Sequence, residues 1–186
     1  MEFIRIEDIG GPKGLVVIKP QIFDDPRGYF YESYNYFKFM ENGIPDTFLQ
    51  DNQSLSCRGT VRGLHFQNPP YGQGKLVRVI RGSVKDVVVD IRVGSPTYGG
   101  VFNIELSDKN KYMFWIPIGF AHGFSTLEDD TIFTYKCTNV YNVSSKGGIL
   151  WNDKDLGIDW QVSDPVVSDE DKKHELFKDF NSPFKY

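Results

Sequence analysis

The 186-residue sequence predicts an all-β fold, a sandwich or barrel of short strands. Three observations carry that expectation. Runs dense in β-branched residues recur at about 8–12-residue spacing with turn residues between them. Aromatic residues reach 15%, with 15 Phe and 10 Tyr, and rings pack well on pleated surfaces. Helical stretches are few and short. The strand expectations are Lys75 to Ile80, Val84 to Arg92, Val101 to Leu106, Tyr112 to Ile116 and Thr131 to Thr138. Gly82-Ser83, Gly94-Ser95-Pro96, Ser107-Asp108-Lys109-Asn110 and Leu127-Glu128-Asp129-Asp130 separate them. The two helical candidates run from Glu32 to Asn42, stopped by Asn42-Gly43, and from Ser168 to Phe180. No repeat, low-complexity tract or linker interrupts the chain. Residues 1–186 therefore read as one domain, with an N-terminal arm and a C-terminal segment folded back on it.

Composition narrows the function. Charged residues make up 25% and the formal net charge is -4, with no basic stripe of the kind nucleic-acid binders carry. Two cysteines, Cys57 and Cys137, lack a CxxC spacing and are too few for a disulfide framework. The start, Met1-Glu2-Phe3-Ile4-Arg5, has no basic-then-apolar signal pattern, and no apolar run approaches a membrane span. A cytoplasmic protein with reduced thiols is the expectation.

The chemistry is sought at the three histidines, His65, His122 and His174. His65 lies in Val61-Arg62-Gly63-Leu64-His65-Phe66-Gln67. In a regular strand Val61, Gly63, His65 and Gln67 share one face, and Arg62, Leu64 and Phe66 the other. His122 lies in Pro117-Ile118-Gly119-Phe120-Ala121-His122, whose spacing resembles the second motif of the cupins. The first cupin motif, His-x-His with a downstream Glu, then falls at His65. Here Gln67 stands in for the second histidine and Lys75 lies ten residues on. A divalent ion wants three or four neutral or anionic ligands, and a nearby ammonium opposes it. No metal is therefore expected. What remains is an imidazole base beside cations, which suits removal of a proton α to a carbonyl. The base needs a carboxylate to orient it. The enolate needs a preorganised positive charge, which Lys75 can supply, while Arg62 suits bidentate binding of a phosphate.

A whole-chain resemblance extends this reading. Asp25-Pro26-Arg27-Gly28-Tyr29-Phe30-Tyr31-Glu32, Gln50-Asp51-Asn52-Gln53-Ser54, the His65 segment and Gln73-Gly74-Lys75-Leu76-Val77-Arg78 look like segments of the dTDP-4-dehydrorhamnose 3,5-epimerases. So do Asp90-Ile91-Arg92 with Ser95 to Gly99, Trp115 to Phe124, Tyr135-Lys136 and Ile149 to Asp153. The resemblance implies a cupin-type jelly roll and inversion of C3 and C5 of dTDP-4-dehydro-6-deoxy-D-glucose, with no cofactor. It implies His65 as base, paired with Asp171, and Tyr135 as the acid acting on the opposite ring face. Lys75 would stabilise the enolate and Arg62 hold the diphosphate, with Gln50, Asp51, Asn52 and His122 lining the site. Tyr141 would stack on the thymine. Arg27 and Glu32 would reach the nucleotide across a homodimer interface.

Plainer readings stand beside these. Asp171 three residues after Ser168 also fits a capping box, which would occupy its carboxylate. His122 also fits a core imidazole with a polar partner, and His174, in a charged run, reads as solvated surface. Trp115, Trp151 and Trp160 read as packing, and Arg78, Arg81 and Lys85 as surface charges. Asp86 shares a strand face with Asp90, so one of them is expected to point inward as a supporting acid. Three positions depart from the family pattern: Lys146 stands where a Glu is expected, Glu170 where a Lys is, and Gln161 where a Pro is. Alternatives are a 3-epimerase on the same scaffold, a cupin that only binds sugars, and a metal-dependent cupin oxygenase.

Overall fold

The computed structural model describes residues 1–44 and 47–186. In chain order the strands are β1 (Glu2–Arg5), β2 (Val16–Lys19), β3 (Ile22–Asp25), β4 (Gly28–Tyr31), β5 (Gln50–Ser56), β6 (Thr60–Gln67) and β7 (Lys75–Arg81). There follow β8 (Ser83–Asp90), β9 (Val101–Ser107), β10 (Met113–Ile116), β11 (Phe120–Thr126), β12 (Thr131–Cys137), β13 (Lys146–Gly148) and β14 (Val166–Val167). One sheet has the order β1-β2-β10-β7-β12-β5, and the second β13-β6-β11-β8-β9 with β14 parallel to β6. β3 and β4 form a separate hairpin. The sequence anticipated the central strands. Its N-terminal arm proves to be two strands of the first sheet followed by that hairpin.

Between the sheets, alternate residues of each strand meet. Val77, Val79, Phe114 and Phe133 from the first sheet pack with Val84, Val88, Leu106, Phe120 and Phe124 from the second. Phe124 and Phe133 stack across the gap with ring centroids 4.2 Å apart. The outer face of the second sheet is covered as well. Val61, Leu64, Phe66, Val87, Val89 and Ala121 pack under the C-terminal segment through Ile149, Leu156, Trp160 and Phe184. Burial on both faces makes every residue of β8 inaccessible. Lys85, expected at the surface, is therefore buried with its ammonium 3.6 Å from Asp159, and Trp160 is core as expected.

The helical expectations shrink for identifiable reasons. Among the described residues the one α-helix, α1, spans Tyr36–Glu41 because Asn35, in extended conformation, accepts the Lys38 N–H through its side chain. Glu32 stays outside the helix, bonded to Lys38 and Asn35. The Ser168 to Phe180 stretch breaks into 3₁₀ turns at Asp171–Lys173 and Phe177–Asp179. Between them Glu175 is drawn into strand-like pairing, its carbonyl accepting the Leu150 N–H at 2.8 Å. Among the described residues no helix is long and apolar enough to cross a membrane.

One irregularity aims the functional side chains. Against β11, His65 pairs with His122 and Arg62 with Phe124, so β6 carries one extra residue between them. This bulge overturns the expected alternation, since Arg62 and His65 now line one cavity while Val61, Leu64 and Phe66 face the outer core. Gly63 has φ +142°, and a Cβ there would stand 2.6 Å from the Gly123 Cα. Neither side is a flexible side chain that can yield. Gly63→Ala is expected to lower stability by at least about 2 kcal/mol through strain and backbone collision. A urea midpoint unchanged from wild type would contradict this account of the bulge.

Candidate active site

A cavity of about 680 Å³ opens between the sheets, and a second of about 380 Å³ shares His65, Lys75, Tyr135 and Lys146 with it. His65 comes from β6 of the second sheet, and Lys75 and Tyr135 from β7 and β12 of the first. The imidazole is therefore offered from one wall, and the ammonium and phenol from the other.

His65 Nε2 lies 2.8 Å from Asp171 Oδ1, and Asp171 Oδ2 accepts the Gly63 N–H at 3.1 Å. An ionised carboxylate only accepts, so Nε2 carries the proton and Nδ1 is the basic nitrogen. The capping reading of Asp171 is half right. Its N–H donates to Ser168 Oγ at 3.1 Å, but its carboxylate oxygens are engaged by His65 and by the Gly63 N–H. Burial raises the proton affinity of Asp171. The His65 and Gly63 hydrogen bonds and the Ser168 hydroxyl outweigh it, holding the carboxyl below the usual range.

His122 Nε2 lies 2.9 and 3.1 Å from the two oxygens of Asp86, and both side chains are buried. Burial pushes the imidazole down and the carboxyl up, each toward its neutral form, with their mutual attraction opposing. Asp86 and Asp90 are both buried, although only one was expected inside. Asp90 is held by Arg92, Ser95 and Thr97 at the strand's end. Lys75 is buried too, and desolvation lowers its affinity for a proton despite help from Cys137 and Asp86. For Tyr135, burial acts in the opposite direction and holds the phenol above its usual value.

The binding candidates divide. Arg62 donates to Ser56 Oγ at 3.1 and 3.2 Å and lines the larger cavity. Gln50, Asn52 and Tyr141 line the smaller one, where Gln50 Oε1 accepts the Tyr141 N–H at 2.7 Å. Asp51 lies outside both: it lines a different pocket and pairs with Lys136 at 2.9 Å. Successive residues of β5 point to opposite faces, which turns the Asp51 side chain away from the smaller cavity, although Asn52 borders both pockets. Arg27 is exposed on the β3–β4 hairpin and bonded to Asp25, and Glu32 pairs with Lys38, so neither lines this chain's cavities.

Two features escaped the sequence reading. Lys146 and Glu170, the two charge departures, form an ion pair with each other at the cavity edge. His174 is not solvated surface. Its ring lies 5.8 Å from that of His65, nearly perpendicular, and its Nε2 is buried 3.9 Å from Asp171 Oδ1. Burial and the neighbouring His65 hold it below the ordinary histidine range. The three-residue spacing from Asp171 was the available signal, because one helical turn brings such residues to one side. With His65 and Asp171 it makes a cluster of possible ligand atoms all within 4.8 Å of one another.

A double-sheeted jelly roll with an imidazole–carboxylate couple facing a buried ammonium and a phenol defines a cupin-type enzyme equipped for proton transfer. The chain belongs to the dTDP-4-dehydrorhamnose 3,5-epimerase family, whose model matches residues 12–179. It is 50% identical over 162 residues to the dTDP-4-dehydrorhamnose 3,5-epimerase of Methanothermobacter thermautotrophicus, covering 86% of this chain and 87% of that one. The crystal structure of a Legionella pneumophila dTDP-6-deoxy-D-glucose-3,5-epimerase, in complex with dTDP-4-keto-L-rhamnose, superimposes with a TM-score of 0.92. It is 42% identical, with 100% of this chain and 98% of that one covered. A dTDP-4-dehydrorhamnose 3-epimerase of Streptomyces niveus is 39% identical over 163 residues, 87% of this chain and 79% of that one.

Chemistry that relies on the Lys75 charge should fail on the alkaline side earlier than for a free lysine, whose ordinary value is 10.5. The sign follows from burial, because a lowered pKa means the cation is lost at lower pH. Turnover against pH should therefore decline below 10.5, and the decline should persist in the residual activity of Tyr135→Phe. A limb that disappears with the phenol would transfer the effect from Lys75 to Tyr135.

Proposed function

We propose that the protein inverts C3 and C5 of dTDP-4-dehydro-6-deoxy-D-glucose, giving dTDP-4-dehydro-L-rhamnose, without cofactor or metal. The observation that carries this reading is the couple of His65 and Asp171 on one wall of a cavity whose other wall bears Lys75 and Tyr135. The substrate already holds a C4 ketone, so the hydrogens at C3 and C5 are α to a carbonyl and need no external electron sink.

In each inversion His65 Nδ1 takes the proton and the C–H electron pair moves into an enolate, whose charge collects on the C4 oxygen beside the Lys75 ammonium. The imidazolium is stabilised by Asp171. Tyr135, from the opposite sheet, gives its proton to the other face of the same carbon, which restores the ketone with inverted configuration. A proton then passes through solvent from His65 to the phenolate. The raised proton affinity of Tyr135 keeps the phenol protonated near neutral pH, as a donor requires. Arg62 holds the diphosphate, and Gln50, Asn52, His122 and Tyr141 bind the rest of the nucleotide sugar. Asp51, on the other face of β5, acts at most through Lys136.

The protein works as a cytoplasmic homodimer in this reading, with Arg27 and Glu32 completing the neighbour's nucleotide site. Supporting it, the β3–β4 hairpin exposes Phe23, Tyr29 and Phe30 beside Arg27, an apolar patch that wants cover. The free thiols, Cys57 and Cys137, fit a reducing compartment. Light scattering should give twice the chain mass at assay concentration, and Arg27→Ala should raise KM more than it lowers kcat. A fully active monomer would remove the shared-site reading.

Incubation with dTDP-4-dehydro-6-deoxyglucose in deuterated water tests the reaction. Wild type should place label at both C3 and C5, whereas label confined to C3 would make the protein a 3-epimerase. His65→Ala should lose exchange at both carbons by at least about 100-fold, the usual contribution of a positioned base. Tyr135→Phe should retain some wash-in, chiefly at C3, with little inverted product. Asp171→Asn should fold and lose activity. Turnover of that variant at the wild-type rate would end the couple's catalytic role.

A further inference from the structure

Two imidazoles and a carboxylate converge beside one wall of the larger cavity, which His65 and Asp171 line and His174 backs. Asp171 Oδ1 lies 2.8 Å from His65 Nε2 and 3.9 Å from His174 Nε2. Two neutral nitrogens and one anionic oxygen are a donor set by which proteins hold zinc and related divalent ions, usually with a position left open. Ligand atoms at the usual zinc distances around one tetrahedral ion stand about 3.3–3.5 Å apart. The separations from Asp171 straddle that range and all three ligand atoms lie within 4.8 Å of one another, so side-chain adjustment brings them onto one ion.

His174 supplies the independent sign. Its Nε2 is buried without a hydrogen-bond partner among the described residues, an arrangement native structures rarely leave without a reason. The ring is fixed in place, lying flat against Gly148 where any Cβ would collide with it. Glu175, the next residue, is tied by its backbone to Leu150. The nearby Lys146 ammonium, which would repel a cation, is paired with Glu170, leaving Asp171 as the uncompensated charge. His65 keeps 34% of its side chain exposed toward the cavity, which gives an ion a route in.

We propose that His65, Asp171 and His174 form a site for a divalent cation of the zinc class, and that the bound ion switches the enzyme off. The ion replaces the proton between His65 Nε2 and Asp171. A neutral imidazole ligated through Nε2 carries its remaining proton on Nδ1, the nitrogen that proton abstraction needs bare. Inhibition therefore requires no movement of Lys75 or Tyr135. The inhibitory effect rests on the proposed base role of His65, whereas binding does not.

The test titrates zinc into the whole protein against a chromophoric chelator, with epimerisation assayed in parallel. Cys57→Ser is run beside wild type, because that exposed thiol lines the same cavity and is a competing zinc ligand. One equivalent should bind in both, with activity falling in step, and magnesium should do neither. His174→Gln fills the space of the imidazole but ligates poorly. It should raise the zinc concentration for half-binding and half-inhibition at least about ten-fold. Added chelator should leave the activity of the purified enzyme unchanged or raise it. The proposal is overturned if wild type binds no stoichiometric zinc, if His174→Gln binds it equally well, if Cys57→Ser abolishes binding, or if chelation lowers activity. Absence of epimerisation would sink the functional reading and leave the binding titration standing. Absence of zinc binding would leave the labelling result intact.

Discussion

The Asp171 carboxylate fastens the C-terminal segment to β6 at two points. It sits nearly inaccessible to solvent, where an ionised group survives only with partners for its oxygens. One oxygen takes the Gly63 N–H and the other faces His65 Nε2. The Gly63 N–H is available because the bulge removes Gly63 from the regular ladder between β6 and β11. The carboxylate is delivered by the C-terminal segment, which β14 pins along β6 on one side and Glu175 pins to Leu150 on the other. A glycine that accepts φ +142°, a strand irregularity and the path of the segment from Val166 to Glu175 are thus one constraint. Loosening any of them returns Asp171 to water and leaves His65 without an orienting partner.

Packing the inner faces of the two sheets against each other sets the electrostatics. Here Asp86 and His122 lie in the interior, where burial drives both toward neutral forms and their pairing supplies the missing hydrogen bonds. Lys75 meets the same medium across the gap, with Asp86 as its acidic neighbour. The low dielectric that makes the lysine easier to deprotonate also strengthens its pull on an enolate oxygen. The core that stabilises the fold and the field that suits proton abstraction are built from the same burial.

The sequence made the central strands legible because alternation over five or more residues is a direct imprint of a two-layer packing. It made His65, Lys75, Tyr135 and Asp171 legible through their resemblance to a family. It did not disclose the face of Arg62, since an inserted residue shifts the pleat without changing composition, and a period-two reading carries straight through it. Lys85 and His174 were misplaced for a shared reason. Lys85 is a charge set in an apolar strand and His174 lies in a charged run, and both are covered by segments distant in sequence, which local patterns do not contain. The second helix failed because backbone pairing at Glu175 overrode local propensity.

Lys146 and Glu170 show how distant positions constrain each other. Taken singly, each is a charge of the wrong sign for the family pattern, and each reads as damage to the site. They are 24 residues apart in sequence yet meet as an ion pair. The pair has a net charge of zero and ties the C-terminal segment to β13, and reversing either charge alone would set like charges against each other. What changes is the side of the bridge that each sign occupies: the ammonium now belongs to β13, beside Gly148 and the His174 ring, and lines both cavities. The local departure from the family thus falls on the rim of the cavity and spares the residues at its centre.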